Sequence, residues 1–258
     1  DGRLNGELVD RAKDFVSLPS PSPAGPDAAL DEQEAAHRIL NSRGLTSIRH
    51  PGTSPAQYAS LQRLRDEGRL NLRVEVLMRA PRSGLPEQLA EAMEDWPDPD
   101  EGDAWLKMGG VKLGVDGGFE GGLMRDPYEE PWGEGGTFYG LQTVPREPFV
   151  ESVRALHAAG WRVATHAVGD AAIDLVLDAY ESANRDAPIT GERWVVEHAF
   201  IPRDDHFPRM RELQLVVSAQ DHLYLAAPSL VEYWGRDRAG LTTPLRAFLD
   251  DEVPVSLG

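Results

Sequence analysis

The sequence predicts an α/β chain, a parallel sheet covered by helices and curled toward a (β/α) barrel that lacks one strand. Three observations carry this. Short apolar runs alternate with amphipathic helical stretches until seven strands have been counted, which is the rhythm of βαβ units. The 258 residues, 41% of them apolar, suffice for one barrel-sized core, and no shift of composition marks a second domain. The chain opens on an arm and a helix with no strand before them, and it stops at Gly258 on an apolar strand whose covering helix is missing. The expectation is therefore one domain over 1–258, cut at both ends from a longer barrel.

Residues 5–15 read as a short helix or extended arm, and 17–26 (SLPSPSPAGP) as a loop crowded with Pro and Ser. Residues 27–43 form an amphipathic helix that stops at Gly44. The apolar strand 45–49 is closed by Pro51-Gly52. Helix 54–68, strand 70–78 and helix 84–95 follow, then a Pro/Asp loop and strand 110–116. Residues 117–146 are irregular, with eight glycines, three prolines and the aromatics Phe119, Tyr128, Trp132, Phe138 and Tyr139. Helix 147–159 returns to strand 161–166, helix 170–185 to strand 193–199, and helix 203–213 to strand 215–220. A helical stretch over 228–250 leads to a last strand, 253–257.

Composition excludes several classes of function. With 26 basic against 43 acidic residues the formal charge is −17, which argues against nucleic acid and against anionic lipid. No apolar run reaches the ~20 residues of a membrane helix, and no signal peptide is read at the start, so a cytoplasmic location is expected. The chain has no cysteine, which removes disulfides and thiolate metal sites. Only three of the cations are lysines, Lys13, Lys107 and Lys112. A lysine inside a buried pattern therefore calls for an explanation.

In a parallel barrel the chemistry sits at the C-terminal ends of the strands. Along VKLGVD (111–116), Val111, Leu113 and Val115 take one face, toward the helices, and this turns Lys112, Gly114 and Asp116 to the interior. The next two strands end on His166 and His198, at separations of 54 and 32 residues. A strand-end histidine by itself is more often a hydrogen-bonded structural residue, and a buried lysine can simply pair with Asp116. A lysine facing two histidines is electrostatically awkward unless carbamylation turns the ammonium into a carboxylate that bridges two cations. Two imidazoles and that carboxylate form an N,N,O set suited to Zn²⁺, and also to Mn²⁺ or Fe²⁺.

The stretches GVKLGVDGG, THAVGDAAID, WVVEHA and VSAQDHLY, in this order, resemble the motifs of the amidohydrolase superfamily. The nearest group contains N-substituted formamide deformylases and the so-called exoenzyme regulatory proteins, and the likeness runs over nearly the whole chain. It implies a (β/α)8 TIM barrel, incomplete, with strands two to eight present and the first lacking. It implies Lys112 as the metal-bridging carboxylated lysine of the family's fourth strand, with His166 and His198 as ligands on the fifth and sixth. One or two divalent ions, zinc foremost, are implied with them. Two further elements would fall outside the chain: a His-x-His pair before Asp1, and beyond Gly258 the aspartate that serves as ligand and general base. No catalytic base is thus expected within 1–258, and the isolated chain is expected to be inactive. The implied reaction is hydrolysis of a C–N bond of an amide, formamide or cyclic amide by a metal-activated water. The rivals are a lactone or ester hydrolase on the same barrel, and a non-catalytic barrel used for binding or regulation.

Gln220 and His222 close the next strand and face the mouth, so with Asp116 they are the candidate substrate contacts. His222 has an equal claim to a structural role. Asp170 more readily caps the helix that begins there. His50, before Pro51, reads as structural, and nothing is expected of His37, His157 and His206, on helices or surface loops. The loop 117–146 reads as a substrate loop whose aromatics either wall an apolar pocket or pack the loop onto the rim. Its glycines lack the strand-to-helix phosphate pattern, which excludes nucleotide binding. The expected partner is a small-molecule substrate; a homo-oligomer is left open.

Overall fold

The computed structural model describes Leu8 and residues 15–17, 25–82, 84–220 and 222–257. The expected arm over 5–15 and most of the loop 17–26 lie outside the described residues. Seven strands form one sheet in chain order: β1 (Ser47–Thr53), β2 (Arg73–Arg79), β3 (Leu106–Gly114), β4 (Val163–Ala167), β5 (Val195–His198), β6 (Val216–Ala219) and β7 (Val255–Leu257). Every neighbouring pair is parallel.

Parallel neighbours need long crossovers. They are supplied by α2 (Pro55–Asp66), α3 (Pro86–Met93), α4 (Arg146–Ala158), α5 (Asp170–Asp186) and α6 (His206–Glu212). Between β6 and β7 the chain makes a 3₁₀ turn over His222–Ala226 and two helices, α7 (Ala227–Gly240) and α8 (Leu245–Asp250). A further helix, α1 (Pro26–Ser42), precedes β1. Local sequence sets several starts. Ser54 caps α2 in a reciprocal capping box with Gln57, and Pro55 follows at the first turn, where its missing N–H costs nothing.

The sheet is curled. Arg49 of β1 and Glu197 of β5 meet at 2.8 Å, although four strand spacings in a flat sheet would hold their backbones about 19 Å apart. The outer face carries Val74, Val76, Met78, Val111, Leu113, Val163, Val196 and Val217, all buried against the helices in the main apolar cluster. The most deeply packed cover is α5, which buries Ala172, Ile173, Val176, Leu177, Ala179 and Tyr180. The inner face carries charged and polar groups, and this alternation sets out the site.

Three departures from expectation have local causes. First, β1 runs through Pro51 and Gly52 to Thr53, beyond the turn expected there. A register shift between Pro51 and Thr53 absorbs Gly52 as a bulge, and proline is tolerated in a strand at such positions. Second, β3 begins at Leu106, not at Gly110, with Leu106 and Met108 fully buried. The Gly109-Gly110 pair looked like a boundary, but close approach requires both glycines. A Cβ would stand 2.3 Å from the Glu75 side chain at Gly109 and 2.5 Å from the Arg162 carbonyl at Gly110. Third, the stretch 228–250 divides into α7 and α8, and Gly235 (φ 78°) kinks α7.

The aromatics of the 117–146 loop do not wall the cleft beside the candidate site. Tyr128 is buried in a second apolar cluster with Leu223, Leu230 and Trp234, with Phe119, Trp132 and Phe138 packed against it. Tyr233 makes ring contacts with Phe119, Tyr128 and Trp132. The loop is thus pinned to α7, the packing alternative of the two considered.

Candidate metal centre

The interior positions line up across the strands. Lys112 pairs with Ala164, Gly114 with His166, and His166 with Glu197. Lys112 and His166 therefore occupy the same face near the C-terminal ends of β3 and β4. His198 follows Glu197 on β5 and would alternate outward, but its φ of 73° is left-handed and so is that of Ala199 at 45°. Two consecutive non-glycine residues in this region are unusual and cost backbone energy, a kind of strain that collects at functional sites. The result is that the His198 ring meets the His166 ring, with centroids 4.4 Å apart and planes at 76°.

The proton positions on the two rings follow from their partners. His198 Nδ1 lies 2.8 Å from Gln220 Oε1, an acceptor, so Nδ1 carries the proton and Nε2 keeps the lone pair. His166 Nε2 lies 2.9 Å from the Gly117 carbonyl, which assigns a proton to Nε2 and leaves Nδ1 as the nitrogen that can ligate. Asp116 Oδ1 is 3.4 Å from the same His166 nitrogen. Metal-ligating histidines are oriented by such oxygen acceptors.

Burial above all, then the neighbouring charges of His166 and Lys112, pushes the His198 pKa down to about 3, which keeps the ring neutral. Burial also brings Lys112 down to about 8; Glu197 works against the shift and Arg49 adds to it. Glu197 is buried, with Oε1 2.8 Å from Arg49 Nη2 in an ion pair whose angle falls short of a hydrogen bond. Glu197 was not singled out in the sequence. The available signal was a carboxylate inside the apolar run WVVEH, two positions from Val195 on the inner face.

The three candidate substrate contacts are placed differently. Gln220 stands behind His198, as its hydrogen-bond partner. His222 is exposed at the start of the 3₁₀ turn and close enough for its charge to depress the His198 pKa. Asp116 lines the cleft beside Lys112 and His166, but its carboxylate is fully sheltered. It accepts from the amides of Leu123 (3.0 Å), Val168 (3.1 Å) and Gly169 (2.9 Å). It thereby ties the loop after β3 to the loop after β4.

His50, Asp170 and His206 have partners outside the candidate centre. His50 Nδ1 bonds Thr53 Oγ1 at 2.6 Å within the β1 bulge. Gly169, not Asp170, is the N-cap of α5. Asp170 accepts from the amides of Arg125 and Ala171 and from Arg203 Nε. His206, of which nothing was expected, is fully buried. With Asp174 and Asp205 it forms a group of ligand-type atoms within 4.8 Å of one another. That place already holds a cation, because the Arg125 guanidinium bonds both carboxylates at 2.6–3.1 Å.

The model of a known family, described as "Amidohydrolase family", matches residues 1–258. The chain belongs to the amidohydrolase family. A putative amidohydrolase of Bacillus subtilis (strain 168), YtcJ, is 23% identical over 249 residues, 92% of this chain and 43% of its own length. An N-substituted formamide deformylase of Arthrobacter pascens is 37% identical over 101 residues, 38% of this chain and 18% of its own. A crystal structure of an uncharacterized metal-dependent hydrolase from Pyrococcus furiosus superposes with a TM-score of 0.76 at 27% identity, covering 92% of this chain and 47% of that one. The chain thus spans less than half the length of these relatives.

Proposed function

We propose that the protein is a metal-dependent hydrolase that cleaves the C–N bond of an amide, formamide or cyclic amide. The observation that carries the reading is the meeting of two half-buried imidazoles, that of His198 held neutral, on the same inner face as Lys112, each ring held by an oxygen acceptor on one nitrogen. This donor set fits a divalent metal such as zinc, because neutral imidazole is the form that ligates. His166 and His198 would hold the ion, and Lys112 would join them as amine or as carbamate. The metal-dependent hydrolase of Pyrococcus furiosus and the formamide deformylase of Arthrobacter pascens support the choice of reaction.

A bound divalent ion supplies Lewis acidity that lowers the pKa of water toward neutrality and polarises a carbonyl. The remaining work falls to the chain. Gln220 and the Gly117 carbonyl set the tautomers of the two rings. Asp116 holds the loops after β3 and β4 in one register around His166. Glu197, paired to Arg49, keeps a negative charge under Lys112. The open cleft beside Lys112 and His166, of about 1000 Å³ including some open solvent, has room for a small substrate.

The test is turnover by the full-length protein on a panel of N-aryl formamides, linear amides, cyclic amides, lactones and esters. Hydrolysis of the C–N substrates is the expected result. Turnover of lactones or esters alone would make this an esterase barrel, and no turnover of any class would favour the non-catalytic reading.

A further inference from the structure

We propose that Arg79 anchors an anionic group of the substrate, a carboxylate, so that acidic amides are preferred over neutral ones. The inference rests on the hydrolase reading for its reaction but not for its binding site.

Position is the first argument. Arg79 is the last residue of β2, and its Cα pairs with that of Lys112 on β3. The two side chains therefore stand on neighbouring strands on the same face, and both line the cleft that reaches His166. Orientation is the second. Arg79 Nε donates to the Gly52 carbonyl at 2.8 Å. Gly52 (φ 80°) lies in the β1 bulge, and a Cβ there would stand 3.0 Å from Arg79 Nη2 and 3.3 Å from Cζ. The bulge thus supplies both an acceptor and a bare surface for the guanidinium, leaving its terminal nitrogens for other partners.

Charge is the third argument. The chain carries a formal −17, and its interior-facing and clustered arginines take carboxylates: Arg49 with Glu197, Arg125 with Asp174, Arg203 with Asp170, Arg209 with Asp178. Arg79 makes no ion pair among the described residues. Lys112, its neighbour across the two strands, is itself basic. Asp116, the carboxylate on the cleft wall, is turned to backbone amides. Arg82 lines the same wall. A fixed guanidinium in a positively charged cleft of an acidic protein matches a carboxylate in geometry and in field.

The test uses the full-length protein and two isosteric substrates, 4-formamidobenzoate and 4-formamidobenzamide. Water cleaves either to formate and the corresponding aminoarene. The wild type should favour the carboxylate by about 10- to 100-fold in kcat/KM, the range for hydrogen bonds to charged groups. Arg79→Gln should bring that ratio close to one, and Arg79→Lys should fall between, since it keeps the charge and loses the fork. The same variants are checked for metal content and unfolding midpoint. A wild-type ratio near one would overturn the proposal, as would a ratio unchanged in Arg79→Gln. So would an equal fall for both substrates with loss of metal, because Arg79 would then serve Lys112. If neither compound is turned over, calorimetric binding decides. Tighter binding of 4-formamidobenzoate that is lost in Arg79→Gln supports the anchor, and equal binding of the two compounds refutes it.

Discussion

Replacing Asp116 by alanine tests whether this carboxylate is what holds the two loops around His166. The substitution leaves the amides of Leu123, Val168 and Gly169 without their acceptor; the Val168 and Gly169 bonds are buried and the Leu123 bond is half-buried. An unpaired buried amide costs about 1–3 kcal/mol, so three, with the half-buried one at the low end, come to about 3–7 kcal/mol. For a domain of this size about 2–4 °C of Tm is lost per kcal/mol, giving a fall of roughly 6–28 °C. Asp116→Asn keeps one acceptor oxygen and should recover about half of the loss. Thermal unfolding followed by circular dichroism, with urea titration beside it, reads both variants. A fall below about 3 °C for Asp116→Ala would refute the account of Asp116 as the tie between the loops after β3 and β4.

Two other predictions concern charge. Glu197→Gln strands Arg49 and Lys112 in the barrel interior and should destabilise by about 2–4 kcal/mol, while Arg49→Met with Glu197→Leu should restore most of it; urea unfolding that finds Glu197→Gln neutral would remove the strut across the sheet. Burial raises the Asp174 pKa, but the hydrogen bonds from His206 and Arg125 outweigh it and hold the carboxyl well below its usual range. A carboxyl depressed on folding adds stability that is complete above its unfolded pKa, near 4, and is lost as pH falls below that. Asp174→Asn should therefore flatten the acid limb of the stability–pH curve below about pH 4, and an unchanged acid limb would show that this pair contributes nothing there.

The fold was legible because strand-then-helix alternation is a local signal, and the valine-rich outer faces repeat at period two. Boundaries failed where a strand carried glycine or proline for reasons of close approach. The Gly109-Gly110 pair clears Glu75 and the Arg162 carbonyl, and Pro51-Gly52 sits in a bulge. Lys112 and His166 could be found because alternation and strand ends place them, and His198 from the strand end alone, since alternation would turn it outward. Asp116 stood on the same face, yet its amide partners come from residues 123, 168 and 169, which no spacing in the sequence connects to it. The loop aromatics were ambiguous for a similar reason, since Tyr233 and Trp234 of α7 lie about a hundred residues further along the chain. Glu197 was passed over because a carboxylate between valine and histidine reads as exposed until curling brings Arg49 to it.

The central claim is a metal centre on Lys112, His166 and His198. The most direct measurement is metal content, by plasma mass spectrometry, of the full-length protein purified without chelators, beside His166→Ala, His198→Ala and Gln220→Ala. The account predicts at least about one divalent ion per chain in the wild type and little metal in the two histidine variants. It predicts metal affinity weakened roughly 10- to 100-fold in Gln220→Ala, the usual effect of removing a ligand's hydrogen-bond partner. Metal retained undiminished in both histidine variants, or a wild type that binds none when supplied with zinc, manganese or iron, would contradict it.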